Sequence, residues 1–441
     1  MAVSFFGVNT PFKDCWTAFI VLGADSLPIS PQSGWLDQRG SIMKAVPPCV
    51  LTINAGSSSI KFAVYRVGDP SLLELHGKID RIGLEGTHLI FQDTATDHQE
   101  SLPVATSDHE AAAMFLIKWL EERKVFDSIG AVGHRVVHGM AHAEPTLVTT
   151  TLVEELRRIT PYAPNHLPQE LDLIQALHHR HPDLQQLACF DTSFHCTMPR
   201  VARLLPIPRR YEALGVQRYG FHGLSYSYLM EELAQLGDPA AKKGRVILAH
   251  LGNGASLAAV CDGESLDTSM GFTPASGLVM GTRSGDLDPG LLAFLSSNEK
   301  MTPAMFGRMI NHESGMLGIS ETSSDMRDLL DQEVTDTRSA EAVALFCYQA
   351  KKWIGAFSAV LDGVDTLVFS GGIGESSPKV RSRICKGLDY LGIDLDEKRN
   401  ALSAAVISKE SSRVTVRVIA TDEELMIARS ICRGLGLAAS N

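Results

Sequence analysis

At 441 residues the chain is too long for one compact core and fits two domains of ordinary size. Its 44% hydrophobic and 21% charged residues are globular values, and a formal net charge of −11 excludes nucleic acid as a partner, because phosphate backbones need a basic face. Anionic substrates must therefore be met by local arginine and lysine.

The first 42 residues stand apart. Their short apolar run, Trp16 to Leu22, is preceded by a single basic side chain, Lys13, and no small-residue cleavage site follows, so a secretory signal is not expected. Residues 1–42 are expected to be a poorly ordered extension ahead of Met43. Val50 to Ile53 then reads as a strand that breaks into Asn54-Ala55-Gly56-Ser57-Ser58-Ser59 and resumes at Ile60-Lys61-Phe62. Small residues there let backbone N–H groups approach an anion, and Lys61 adds a point charge. Strand character after Lys61 rules out a P-loop, which opens a helix.

Apolar spacing over His109 to Leu120 predicts a helix, followed by a strand leading into Gly133. Leu187 to Phe190 is an apolar segment ending at Asp191, and the boundary between domains falls near 191–200 as a hinge, no low-complexity linker being present. Arg245 to Val260 runs strand, turn, strand around Gly252-Asn253-Gly254, echoing the first loop. Glu341 to Val360 is helical, Thr366 to Phe369 is a buried strand ending in Gly371-Gly372-Ile373-Gly374-Glu375, and Val416 to Ala420 is a strand ahead of Glu423.

This alternation predicts an α/β fold of layered domains with central sheets. The three glycine-rich loops suggest a duplicated domain that clamps a nucleotide between its halves. The eight cysteines (Cys15, Cys49, Cys189, Cys196, Cys261, Cys347, Cys385, Cys432) contain no C-x-x-C pair, which suggests neither zinc nor a disulfide framework but a reducing cytoplasm. No apolar run approaches the ~20 residues that span a bilayer.

Eight segments together resemble the acetokinase family of the actin-like ATPase superfamily. They are Asn54-Ala55-Gly56-Ser57-Ser58-Ser59, Gly133-His134-Arg135-Val136-Val137-His138-Gly139, Phe190-Asp191-Thr192-Ser193-Phe194-His195, Arg218-Tyr219-Gly220-Phe221-His222-Gly223, His250-Leu251-Gly252-Asn253-Gly254, Gly281-Thr282-Arg283-Ser284-Gly285-Asp286, Gly372-Ile373-Gly374-Glu375 and Thr421-Asp422-Glu423-Glu424-Leu425. They stand in the family's order from about Cys49 onward. The resemblance implies two duplicated ribonuclease H-like domains with the active site in the cleft between them: an N-terminal domain over 43–193 that regains the segment 425–441, and a nucleotide-binding domain over 194–424.

The implied reaction is reversible, Mg-dependent transfer of phosphoryl from ATP to acetate, giving acetyl phosphate and ADP, with propionate or another short acid as the alternative. Such chemistry brings two anions together, so the site must neutralise charge at the transferring group. Arg135 and Arg283, in glycine-flanked loops, suit this, although an arginine taken at random is more often a surface ion pair; by resemblance they bind the carboxylate and the phosphoryl group. His222 matches the histidine that hydrogen-bonds the phosphoryl group, with direct in-line transfer favoured over a phosphohistidine. Asp191 matches a residue orienting the acyl substrate or the metal, while Asp-Thr-Ser also suits a turn or helix cap.

The family's metal contacts fall on Asn54 and Glu423, the latter equally readable as a first-turn acid, with Mn2+ able to replace Mg2+. Nucleotide contacts fall on Lys61, His250, Leu251, Gly252, Asn253 and Gly254, on Asp325, Met326 and Arg327, and on Gly372, Ile373, Gly374 and Glu375. The acyl group falls on Arg135, Val137, Asn165, His166, Phe221 and Pro274. Asn165 replaces a pocket-lining leucine, Ala275-Ser276 a Leu-Glu, and Glu321 a glycine, which opens the question of acyl-chain length. A homodimer is the family expectation. A filament protein or chaperone would not need Arg135, Arg283 and His222 together, a sugar kinase would supply hydroxyl-binding groups instead of two arginines, and a pseudoenzyme would not keep all the motifs.

Overall fold

The run Cys-Val-Leu-Thr-Ile-Asn-Ala forms β1 (Cys49–Ala55), buried along its whole length, as a continuous apolar run requires of a central strand. A computed structural model describes residues 49–56, 59–68, 72–83, 85–106 and 108–437. The expected extension 1–42, and Ser57 and Ser58 of the first loop, lie outside the described residues.

β1 pairs antiparallel with β2 (Ser59–Arg66), placing Asn54 opposite Lys61, and β2 pairs antiparallel with β3 (Leu73–Asp80). β4 (His88–Asp93) and β5 (His98–Pro103) extend that edge. On the other side β6 (Ile129–Val136) and β8 (Gln185–Phe190) run parallel, with the short β7 (Thr146–Leu147) outermost. The order is β5-β4-β3-β2-β1-β6-β8-β7.

The second sheet comprises β9 (Arg245–Leu251), β10 (Ala255–Cys261), β11 (Glu264–Thr268), β12 (Thr366–Ser370) and β13 (Thr415–Val418), in the order β11-β10-β9-β12-β13. Here too a three-strand antiparallel meander is followed by two strands parallel to its first member. Without β4, β5 and β7 the first sheet has the same order, so the duplication suggested by the loops is written in the topology. β13 ends two residues before the strand expected through Ala420.

Helices cover the sheets. His109–Glu122 is capped by Asp108, whose side chain accepts from the Ala111 N–H at 2.8 Å, and it buries Leu116, Ile117 and Leu120. Thr337–Val360 starts earlier than its apolar pattern because Asp336 caps it. Glu423–Gly434, capped by Asp422, crosses back to pack on β1 and β6. Gly133 permits that approach: a Cβ there would stand 2.5 Å from Ile427 Cγ2 and from Ile431 Cδ1. One core cluster joins Val137, Phe190 and Phe221 to Ile247 and Leu257 of the second sheet and to Met280 of the loop that follows β11. Among the described residues no helix is long and apolar enough to cross a membrane.

Candidate active site

The two hairpins that open the sheets present equivalent positions. Asn54 sits one residue before the turn on β1, and His250 one residue before it on β9, opposite Ser256. Gly254 brings the second turn close to His222 and Arg283. Its Cβ position lies 3.3 Å from His222 Nε2 and 3.6 Å from Arg283 Nη1, so an anion against this backbone touches both.

His222 sits at φ +61°, in the left-handed region, at the start of the helix Gly223–Gln235. That uncommon conformation aims its backbone N–H at Asp191 Oδ2, at 3.0 Å, and its ring across the site. The ring stacks on His250 with centroids 4.2 Å apart, and its Nδ1 lies 2.9 Å from Ser256 Oγ. Burial, then His250 and the two arginines, hold the His222 imidazole well below its usual pKa, so it is neutral.

Asp191, at the end of β8, also accepts from Arg135 Nη2 at 2.9 Å, and its buried Oδ1 has no hydrogen-bond partner among the described residues. Arg135 Nη1 lies 3.5 Å from Glu170 Oε1. Burial works against the Arg135 charge, and Asp191 and Glu170 more than restore it. Arg283 donates to the Pro274 carbonyl at 3.0 Å; with burial and Arg135 against it and no carboxylate beside it, its pKa falls to about 10. Of these two guanidiniums, Arg283 is the one without an ion pair among the described residues. His166, whose buried Nδ1 has no partner, is held at about 3 by burial and then by the two arginines.

Asn54 Nδ2 donates to Glu423 Oε2 at 3.1 Å and to Glu424 Oε1 at 3.2 Å, so the two expected metal ligands do meet. Burial, then the charge of Asp191, raises the Glu423 carboxyl above its usual range. Lys61 leans toward Glu424, 3.8 Å away. The half-buried Glu423 carboxylate, which has no ion pair among the described residues, and Asp191 Oδ1, which has no hydrogen-bond partner among them, fit a divalent cation. Among the described residues no group of three or more His, Cys, Asp or Glu could hold a metal ion by itself.

A cavity of about 1010 Å³ opens beside the second turn. Gly252, Asn253, Asp325, Met326, Arg327, Gly372 and Ile373 line it, seven of the positions expected to hold nucleotide. Gly281 lets Asn253 in, since a Cβ there would stand 2.0 Å from Asn253 Oδ1. Leu251 and Gly374 are buried beneath it. Glu375, expected at the nucleotide, turns its carboxyl to the backbone: Oε1 accepts from Gly371 N at 2.8 Å and Thr421 N at 3.1 Å, tying the glycine loop to the Glu423 segment.

Val137 and Phe221 are buried and Pro274 is half-buried. Asn165 corrects an expectation: it is exposed in the turn before the helix Leu167–Arg180, so no amide is buried among apolar groups there. Glu321 takes φ +59°, the left-handed conformation that a glycine would adopt freely, and pairs with Arg338.

Sequence reasoning missed Glu170, Ser256, Tyr226 and Arg381. Glu170 was readable as an acid on the stripe Leu167, Leu171, Ile174, the buried face of its helix. Arg381 gave no local signal; fully buried, it donates to the Gly374 and Glu375 carbonyls at 2.8 and 2.9 Å, fixing the glycine loop from beneath.

Duplicated sheets opened by paired hairpins, with guanidinium and imidazole groups beside the second turn, are the architecture of the actin-like ATPase class, and the comparisons make this chain a phosphotransferase of it. Residues 49–429 match the family model described as the acetokinase family, and the chain belongs to that family. It is 42% identical over 398 residues to an acetate kinase of Methylocella silvestris, covering 86% of this chain and 96% of that protein. It is 41% identical over 391 residues to a propionate kinase of Escherichia fergusonii, covering 87% and 96%. The crystal structure of Porphyromonas gingivalis acetate kinase superposes with a TM-score of 0.79 at 37% identity, covering 88% of this chain and all of that one.

Proposed function

We propose that the protein catalyses reversible phosphoryl transfer between ATP and acetate, giving acetyl phosphate and ADP. The observation that carries this reading is the convergence of His222 Nε2 and Arg283 Nη1 on the Gly254 turn, with Arg135 and His166 alongside. Two anions approach each other there, and permanently charged guanidinium groups offset their repulsion.

In the proposed step an acetate oxygen attacks the γ-phosphorus in line as the bond to the ADP oxygen breaks. Arg135, braced by Asp191 and Glu170, holds the carboxylate, while Arg283 and His222 donate to the equatorial oxygens as charge spreads over them. Asn54 and Glu423 would hold Mg2+, which when bound neutralises phosphate charge. The cavity beside Asp325 and Gly372 takes the adenosine.

The catalytic cleft lies between two lobes, 43–193 with 425–441 and 194–424, a division supported by the repeated strand order. The partner is a second copy of the chain. Supporting this, the helices Gly290–Glu299 and Pro303–Arg308 bury none of their own residues and leave Phe294 and Met305 exposed. A cytoplasmic location is the reading that the use of ATP as co-substrate supports.

Propionate is the second reading, favoured by the exposed Asn165 and by the small Ala275-Ser276 pair near Pro274. Measuring kcat/KM with acetate, propionate, butyrate and glycolate decides between them: the highest value for acetate supports the first reading, and a longer acid ahead of it overturns that choice.

A further inference from the structure

The stacked histidines each hang from a serine that meets a second hydroxyl. His250 Nδ1 lies 2.8 Å from Ser225 Oγ, which lies 2.8 Å from Thr421 Oγ1. His222 Nδ1 lies 2.9 Å from Ser256 Oγ, which is hydrogen-bonded to the Tyr226 hydroxyl. Ser256 and Tyr226 are both fully buried.

A neutral imidazole carries one ring proton, so what His222 can do at Nε2 depends on which nitrogen holds it. With the proton on Nε2 the ring donates to an anion against Gly254; with the proton on Nδ1 it turns a lone pair toward that anion and repels it. The serine alone leaves both arrangements open, since a hydroxyl can donate or accept. The tyrosine removes the ambiguity. Its phenol, kept protonated by burial, is a permanent donor, and among the described residues Ser256 Oγ is the hydrogen-bond partner recorded for it. A buried donor left unmatched is costly. Tyr226 therefore donates to Ser256, and the serine's own proton is directed to His222 Nδ1.

We propose that Tyr226 and Ser256 are positioning residues that hold His222 as the Nε2–H tautomer, so that a neutral side chain donates to the transferring phosphoryl group. The inference rests on the phosphotransferase reading for its consequence in catalysis, but the tautomer itself is a property of the free protein.

The test is nitrogen-15 NMR of the full-length protein, uniformly labelled at histidine, with the His222 ring signals assigned by their loss in His222→Asn. Long-range proton–nitrogen spectra at pH 7.5 without substrate should give His222 a protonated Nε2 and an unprotonated Nδ1. Protonation at Nδ1 overturns the proposal, whatever the activity. Tyr226→Phe and Ser256→Ala should shift the signals toward a mixture of tautomers and lower kcat about tenfold with KM for both substrates nearly unchanged, while Ser256→Thr, which keeps the hydroxyl, should restore both. Native kcat in Ser256→Ala, or a loss that Ser256→Thr fails to restore in a folded protein, counts against it. If neither truncation folds, the wild-type spectrum decides alone. Absence of any kinase activity in wild type, with the Nε2–H tautomer present, would fault the proposed function and leave the tautomer assignment standing.

Discussion

Arg135 and Asp191 meet through Nη2 and Oδ2 at 2.9 Å, and the same carboxylate oxygen accepts from the His222 N–H at 3.0 Å. One buried carboxylate therefore fixes both the Arg135 guanidinium and the backbone of His222, from the end of β8. Asp191→Asn keeps an acceptor for His222 but removes the charge that braces Arg135. Steady-state kinetics should show kcat/KM for the carboxylate down by about 10²-fold, with circular dichroism unchanged. A loss of only a few-fold would mean that Glu170 alone suffices to orient the arginine.

The missing side chain at Gly281 makes room for Asn253 at the edge of the cavity proposed to take the nucleotide. In Gly281→Ala the new methyl would occupy the place of Asn253 Oδ1, 2.0 Å from the Cβ position, and the amide, being the far end of a flexible side chain, swings aside. KM for ATP should rise roughly tenfold, the cost of about one good hydrogen bond, with little change in KM for the acid. Equal rises in both would place Asn253 somewhere other than at the nucleotide.

How much of this was legible in the chain follows from how local each signal is. Hairpins, helices and the duplication show in runs of a few residues, and Asn54, Arg135, His222 and Arg283 are placed by glycine-flanked motifs. Asp191 was readable as the end of an apolar strand, but not that its Oδ2 would serve two residues, since Arg135 lies 56 positions away. Ser256 and Tyr226 act only once β10 and the Gly223–Gln235 helix meet, a tertiary event with no spacing to betray it. The exposure of Asn165 depends likewise on how its turn docks.

Arg381 donates through Nε to Asn400 Oδ1 at 2.8 Å and through Nη2 to the Asn400 carbonyl at 2.8 Å, besides its two bonds to the glycine loop. Lysine lacks that planar fork. Arg381→Lys should lower unfolding stability by about 3 kcal/mol, from buried carbonyls left unmatched, and raise KM for ATP by loosening Gly374. Chemical denaturation and kinetics on the same preparation check both; unaltered stability would contradict the structural role.

Acid should unfold this protein early. His134, His138, His195 and His250 are held at about 4 by burial, below the unfolded value of 6.5, so the unfolded chain binds more protons between those limits and stability falls as pH drops through 6.5. Glu170, pushed up to about 7 by burial, and Glu423, raised likewise, act in the opposite sense above 4.5. His166, at about 3, and His222, well below its usual value, act with these four, so six sites outweigh two, and each uncompensated histidine contributes roughly 1.4 kcal/mol per pH unit. Urea unfolding at pH 7, 6 and 5 should show stability declining steadily; a flat profile would mean that these histidines are charged in the folded state.

The central claim is that this cleft joins ATP to a carboxylate through Arg283. The most direct measurement is ATP-dependent acetyl phosphate formation, trapped as the hydroxamate, by the wild-type protein and by Arg283→Ala side by side with Mg2+ present. Wild type should form product, and the variant should form it about 10²-fold or more slowly. No hydroxamate from acetate or any other short acid, or equal rates from the two proteins, would contradict that claim.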